Sequence, residues 1–302
     1  MVGLVILIAT DGDVHRLVGT LARAYRKIVQ RRRHCPNRAS RTPTLSPRIR
    51  GSGTHSLNFR RPSICPWCRH GRFYGVVAEQ DGHLLGSNFL DARSLIGGIG
   101  PITIDPAVQN KGIGRQLMQT VMKHAAAKKM PGIRLVQDAF HNRSLCLYAS
   151  LGFVTREPLS VIQGPPLKLR LAGYDVRPAT AADLAACNAV CRRVHGFDRS
   201  AELKDAITQK SATVVEHLER ITGYATEIGF FAHAVGESNE DLKALISAAS
   251  AFSGPGFLLP TRNDDTFRWC LDHGLRLVKQ QMLMTIGLYN EPAGAYLPSI
   301  LY

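Results

Sequence analysis

From Asp105 to Met118 the chain reads DPAVQNKGIGRQLM, and Gln109, Gly112 and Gly114 within it stand in the spacing Q-x-x-G-x-G. A turn of this kind between a strand and a helix aims several backbone N–H groups at one point. The positive end of the helix adds to them, so the ligand that suits the turn is a pyrophosphate. Gly112 and Gly114 carry no β-carbon to hold phosphates away. Lys111 and Arg115 supply mobile positive charge, and Asn110 and Ile113 complete the loop. A Gly-x-Gly pair alone is a weak signal, shared with ordinary tight turns and dinucleotide-binding folds. Here no third glycine follows at the dinucleotide-binding position, and a hairpin region, not a first parallel strand, precedes the turn. Further on comes N-x-x-x-x-x-Y-x-x-x-G-F, formed by Asn142, Tyr148, Gly152 and Phe153.

With both motifs in this order, residues 73 to 160 resemble the GNAT N-acetyltransferase superfamily. Its pyrophosphate motif is R/Q-x-x-G-x-G/A, and its next helix carries N-x-x-A-x-x-x-Y-x-x-x-G-F. The resemblance implies acetyl-CoA as co-substrate and, as acceptor, a primary amine that attacks the thioester directly in a ternary complex. It implies that Ile102, Thr103 and Ile104 pair with the pantetheine arm where their strand splays from its neighbour. It also implies that the stretch from Gln109 through Asn110, Lys111, Gly112, Ile113 and Gly114 to Arg115 holds the pyrophosphate, that Asn142 contacts the cofactor, and that Tyr148 protonates the leaving thiolate.

These residue types suit the chemistry. A thioester is already reactive, so an enzyme needs chiefly to align a neutral amine, polarise the carbonyl and deliver a proton to sulfur. A tyrosine hydroxyl, with a reference pKa of about 10, can donate as the thiolate forms. No metal is required. Glu79, Asp91 and His141 all remain open as the base, whereas Asp105 reads as a structural residue at a strand end. The plain alternatives are a core tyrosine for Tyr148 and a helix N-cap for Asn142.

The elements that must position these residues follow from periodicity. Before the turn, FYGVVAE and HLLGSNFL flank Asp81-Gly82 as a hairpin, and a strand is expected from Ile99 to Ile104. After it, Ile113, Leu117, Val121 and Ala125 mark one face of a helix, with Lys128 and Lys129 at its end and Met130-Pro131-Gly132 stopping it. Ile133 to Gln137 reads as a strand, Asn142 to Ser150 as a helix capped by Gly152, and a strand opens at Phe153. Upstream, Leu4 to Ile8 reads as a strand, and Val14, Leu17, Val18, Leu21 and Tyr25 as one face of a helix.

The pattern then recurs. Ile8 to Val14 matches Arg177 to Leu184, and His141 to Phe153 matches Arg262 to Leu275 with one residue inserted. Two α/β folds of mixed sheet in tandem are therefore expected. The first, residues 1–165, holds the acetyl-CoA site; residues 166–173 are a linker; and 174–302 form a degenerate copy. In that copy the turn position falls to His233–Leu245, which has one glycine, Gly236, and three acids, Glu237, Glu240 and Asp241, that repel phosphate. The counterpart of Tyr148 is Cys270 or Trp269. The segment from Asn290 to the end is expected to cover an interface.

The net charge of +15 belongs to one segment. Residues 1–78 hold 15 of the 38 Lys and Arg and two acids, Asp11 and Asp13, so the rest is nearly neutral. Nucleic acid is disfavoured as a partner, because residues 31–72 are basic without patterned aromatics. That stretch, rich in Arg, Pro, Ser and Gly, reads as disordered or aberrant sequence and makes the first lobe irregular. Cys65-Pro-Trp-Cys68 with Cys35 and His70 offers zinc-ligand types, but no second pair accompanies it, and no metal is expected. No apolar run approaches the ~20 residues that span a bilayer. Seven scattered cysteines and an apolar start without a basic n-region point to a cytoplasmic protein. A small-molecule or peptide amine is the expected acceptor, and a homodimer is compatible with the sequence. An acyl-CoA-binding or regulatory module without catalysis is the competing reading.

Overall fold

A computed structural model describes residues 58–60, 72–80 and 83–301. The strand and helix expected before residue 30, the Asp81-Gly82 turn, and Cys35, Cys65, Cys68 and His70 lie outside the described residues. The basic segment is not wholly without regular structure. Asn58–Arg60 form strand β1, which pairs antiparallel with the next strand from Asn58 opposite Glu79 to Arg60 opposite Val77.

The first half then runs β2 (Phe73–Gln80), β3 (His83–Asp91), β4 (Ile96–Ile99), β5 (Thr103–Ile104), helix α1 (Ile113–Ala127), β6 (Gly132–Asp138), α2 (Asn142–Ser150) and β7 (Val154–Gln163). The second half runs β8 (Tyr174–Pro178), α3 (Leu184–His195), α4 (Ser200–Thr208), β9 (Thr213–His217), β10 (Arg220–Ala225), β11 (Ala234–Gly236), α5 (Asn239–Ala248), β12 (Phe257–Pro260), α6 (Asp264–Asp272), β13 (Arg276–Gly287) and β14 (Ala295–Leu297). The architecture is mixed α/β. No helix among the described residues is long and apolar enough to cross a membrane.

The four residues chosen from periodicity, Ile113, Leu117, Val121 and Ala125, are all buried on α1. They pack with Val76, Ala78 and Leu90 of the hairpin and with Tyr148 and Phe153 into one apolar core. The strand expected over Ile99 to Ile104 is broken in two. Both pieces pair with β3, Ile99 opposite Leu90 and Ile104 opposite Gly86, but only β4 also pairs with β6, in parallel, Ile96 opposite Gly132 and Gly98 opposite Arg134. Pairing with β6 ends at Gly98, and Gly100-Pro101, whose proline cannot donate to a ladder, lies in the break that follows.

The halves share a sheet. Its order is β1-β2-β3-β4-β6-β13-β7-β12, so β13 of the second half lies between β6 and β7 of the first. β7 in turn lies between β13 and β12 of the second half. Each half thus lends its last long strand to the other, and the linker 166–173 separates the halves in sequence but not in this sheet. A second sheet, β14-β11-β10-β9-β8, belongs to the second half alone.

Candidate functional site

β5, the start of α1 and Leu147 of α2 come together at Gly114. A β-carbon there would lie 3.5 Å from Leu147 Cδ2 of α2 and 3.9 Å from Ile104 of β5. Both are ordinary contacts, so packing within the chain leaves room for a larger residue. Gly112 is explained by backbone. It caps α1 with φ +80°, a left-handed conformation natural to glycine. Asn110, at φ 68°, takes a second left-handed step, which Asn tolerates better than most residues.

The N-terminus of α1 has Gly112 at its cap position and, among the described residues, no side-chain cap hydrogen bond, and its first turn holds no acid. The first N–H groups of a helix are orphaned by its geometry and sit at the positive end of the dipole. Around them Gln109, Asn110, Lys111, Gly112 and Arg115 are exposed. Arg115 donates to the Ser150 hydroxyl at 2.7 Å. Arg143, in the first turn of α2, donates to Gln109 Oε1 at 3.1 Å and to Asn110 Oδ1 at 2.9 Å. These partners are neutral, so neither guanidinium has its charge cancelled by them. Arg143 is the residue that sequence reasoning missed; its signal was its place beside Asn142, and its relation to the turn exists only after folding.

Asn142 is exposed at the first position of α2, and His141 holds the N-cap position. The capping role considered for Asn142 is therefore not the one it takes. Asp105 does cap: its carboxylate accepts from the Ala107 N–H at 2.9 Å and starts the short turn over Pro106–Val108, as a structural strand-end residue should. Ile102, Thr103 and Ile104 are half-buried, and Thr103 shares a 2.8 Å hydrogen bond with Ser87.

Tyr148 is 6 % exposed and meets Phe153 edge-on at 6.1 Å. Burial pushes its pKa up to about 12, against a smaller opposing effect of its hydrogen bond with Ser144. It stays protonated at neutral pH and can act as a donor to a developing thiolate. Of the three base candidates, Asp91 is occupied: Arg93 binds it through Nε at 3.0 Å and Nη2 at 2.7 Å, and also reaches Asp205 of α4 at 3.2 Å. Glu79 lies at the opposite end of the hairpin from Asp91, facing Leu84 and Asn58.

The same elements in the second half are arranged otherwise. The N-cap Ser238 accepts from the Asp241 N–H, and the Asp241 carboxylate accepts from both the Ser238 N–H at 2.8 Å and its hydroxyl at 2.7 Å. α5 is therefore closed by its own carboxylate where α1 is open. The backbone bonds after the last helix pair Leu275 N–H with the Cys270 carbonyl, as Phe153 N–H pairs with that of Tyr148. Cys270, not Trp269, is thus the counterpart of Tyr148, and burial raises its thiol pKa to about 12.

Comparison with known proteins bears on the first half. Residues 69–155 match the acetyltransferase (GNAT) domain family. A mycothiol acetyltransferase of Thermomonospora curvata is 35% identical over 92 residues, which cover 30% of this chain and 31% of that protein. One from Streptomyces avermitilis is 31% identical over 94 residues, 30% of each chain. The match thus spans about a third of these relatives' length. A solved Pyrococcus horikoshii chain described as an acetyltransferase superposes with a TM-score of 0.60 at 16% identity, over 73% of this chain and 78% of that one, which shows a common fold. Residues 69–155 of this chain are thus similar to the acetyltransferase (GNAT) domain in sequence, and the chain shares the fold of the Pyrococcus protein.

Proposed function

We propose that the chain transfers the acetyl group of acetyl-CoA to a primary amine of a small-molecule or peptide acceptor. The observation that carries this reading is the contrast between the two helix starts. α1, with no side-chain cap bond among the described residues, offers its N–H groups beside Lys111, Arg115 and Arg143, whereas α5 is sealed by Asp241. A pyrophosphate would be held by the N–H groups from Gly112 to Arg115, and Ile102 to Ile104 would pair with the arm behind it.

In the reaction, a neutral amine attacks the thioester carbonyl as the new C–N bond forms. The C–S bond then breaks and its electron pair leaves on sulfur. Tyr148 gives the thiolate its proton, and the acceptor nitrogen loses one to water or to a base. Placing the amine against the carbonyl supplies most of the acceleration, and a positioned proton donor contributes roughly 10²–10⁴-fold. The similarity to mycothiol acetyltransferases makes small molecules the first acceptor class to screen.

The deep burial of Tyr148 within an apolar core favours one competing reading, in which the tyrosine only packs and the chain binds acyl-CoA without turnover. Turnover of acetyl-CoA by the parent chain separates the two, and Tyr148→Phe tests the role of the tyrosine. In that variant turnover falls while cofactor affinity, measured by calorimetry, is kept; undiminished turnover would remove Tyr148 from the chemistry.

A further inference from the structure

β14 lies in a telling place. In the first half the strand preceding α1 splits: Ile96 to Gly98 stay parallel to β6, and β5 turns away. The second half repeats the split. Phe230 N–H donates to the Ser253 carbonyl and Ser253 N–H to that of Ile228, while β11 diverges toward α5. Among the described residues β5 pairs only with β3, and its far side is where the pantetheine arm would lie. On the corresponding side of β11 lies β14, Ala295 opposite Gly236 and Leu297 opposite Ala234. Its three side chains are buried, Tyr296 with 3% of its surface exposed and edge-on to His195 at 5.2 Å.

The direction also agrees. The segment enters at Gly236, next to the helix start, and runs back to the fork, where Ile300 N–H donates to the Phe230 carbonyl. It thus takes the course that a cofactor arm would take in the first half, from phosphate end to acyl end. It then emerges against the other half. The Leu301 carbonyl covers Gly98 of β4 so closely that a β-carbon at Gly98 would overlap it. Gly98 is the last residue of β4 paired with β6, and so marks the fork of the first half's groove.

We propose that Ala295–Leu301 is a strap, anchored in the second half's cofactor groove, whose Leu301 walls the acyl end of the first half's groove where the acceptor must approach. The wall rests on the reading of the first half as an acetyl-CoA site; the anchor does not. An arm lying along Ile104 to Ile102 from a pyrophosphate at Gly112 has its far end at this fork, so the reacting carbonyl comes to the side of Gly98 that the strap covers. The degenerate half thus acquires a role through the groove it no longer uses for cofactor, as the mount for one side of its neighbour's acceptor pocket.

The test uses the full chain carrying Leu301→Cys, alkylated with iodoacetamide and read by peptide mass spectrometry, with Leu218→Cys on an exposed hairpin as control. Adding Gly98→Ala without any cofactor should speed alkylation at position 301 about tenfold, because a close-packed contact cannot absorb such an overlap and the strap must leave. An unchanged rate would overturn the anchored contact whatever the cofactor does. In the Leu301→Cys chain, acetyl-CoA at ten times its calorimetric dissociation constant leaves about a tenth of the sites open, so alkylation at 301 should slow about tenfold while the control stays constant. Binding without protection would overturn the wall. Absence of binding in the calorimeter would instead overturn the acetyl-CoA reading, and the wall with it, while the Gly98→Ala result on the strap would stand.

Discussion

The Tyr148 hydroxyl has a protonation equilibrium that makes it testable apart from turnover. Its pKa is raised from 10 to about 12 by burial, so between those values the folded chain keeps a proton that the unfolded chain has lost. Stability is therefore unaffected below pH 10 and declines as pH rises toward 12. The loss is on the order of 2–3 kcal/mol, at about 1.4 kcal/mol per unit. Denaturant unfolding of parent and Tyr148→Phe at pH 9 and 11 should show the decline in the parent and a shallower one in the variant; equal slopes would contradict the burial argument. The tyrosine itself was legible in the sequence because the Y-x-x-x-G-F spacing ties it to a helix end, and so were Gly112 and Gly114. Arg143 was not, since no spacing rule links α2 to a turn more than thirty residues earlier; only the packing of α2 on Gly114 brings them together.

At the scale of elements, helices with an unbroken apolar period were readable from end to end, and α2 spans Asn142–Ser150 as the pattern predicts. The strand over Ile99 to Ile104 was readable only as one extended stretch. Its division into β4 and β5, both paired with β3, lies in β4 alone also reaching β6, and that is decided across the sheet and not along the chain. The second half shows how helix ends and strand ends jointly bury polar groups. His195 at the end of α3 and His233 just before β11 are buried with their Nε2 atoms 3.1 Å apart. Burial holds both well below the ordinary histidine value of 6.5, and nearby Arg199 and Arg134 act in the same direction. The unfolded chain takes up protons that the folded chain refuses, so the stability present above pH 6.5 is lost as pH falls below it. Urea unfolding at pH 7.5 and 5.5 should give a lower midpoint at pH 5.5, and His233→Gln should lessen the difference; a midpoint that does not move would contradict the neutral buried pair.

The whole molecule is held by exchange of strands. β13 runs from Gln281 opposite Asp138 to Gly287 opposite Gly132 on one side, and along nearly the whole of β7 on the other. Arg93 adds a tie between Asp91 of β3 and Asp205 of α4. Sequence repetition led to the expectation of two copies of one element order but carried no sign of the shared sheet, because a repeat records local pattern while strand exchange is a choice among equally apolar neighbours. A protease site inserted in 166–173 and cut should therefore leave two fragments that elute together in size exclusion and unfold together. Separation into two independently folded pieces would contradict the shared sheet.

The central claim is that one half of this molecule holds acetyl-CoA and the other has filled its own groove. Calorimetric titration of the full chain with acetyl-CoA, repeated on Gly112→Glu, tests it most directly. The account predicts one site per chain in the parent and none in the variant, whose carboxylate stands at the open start of α1. Two sites in the parent, or binding that survives Gly112→Glu, would contradict it.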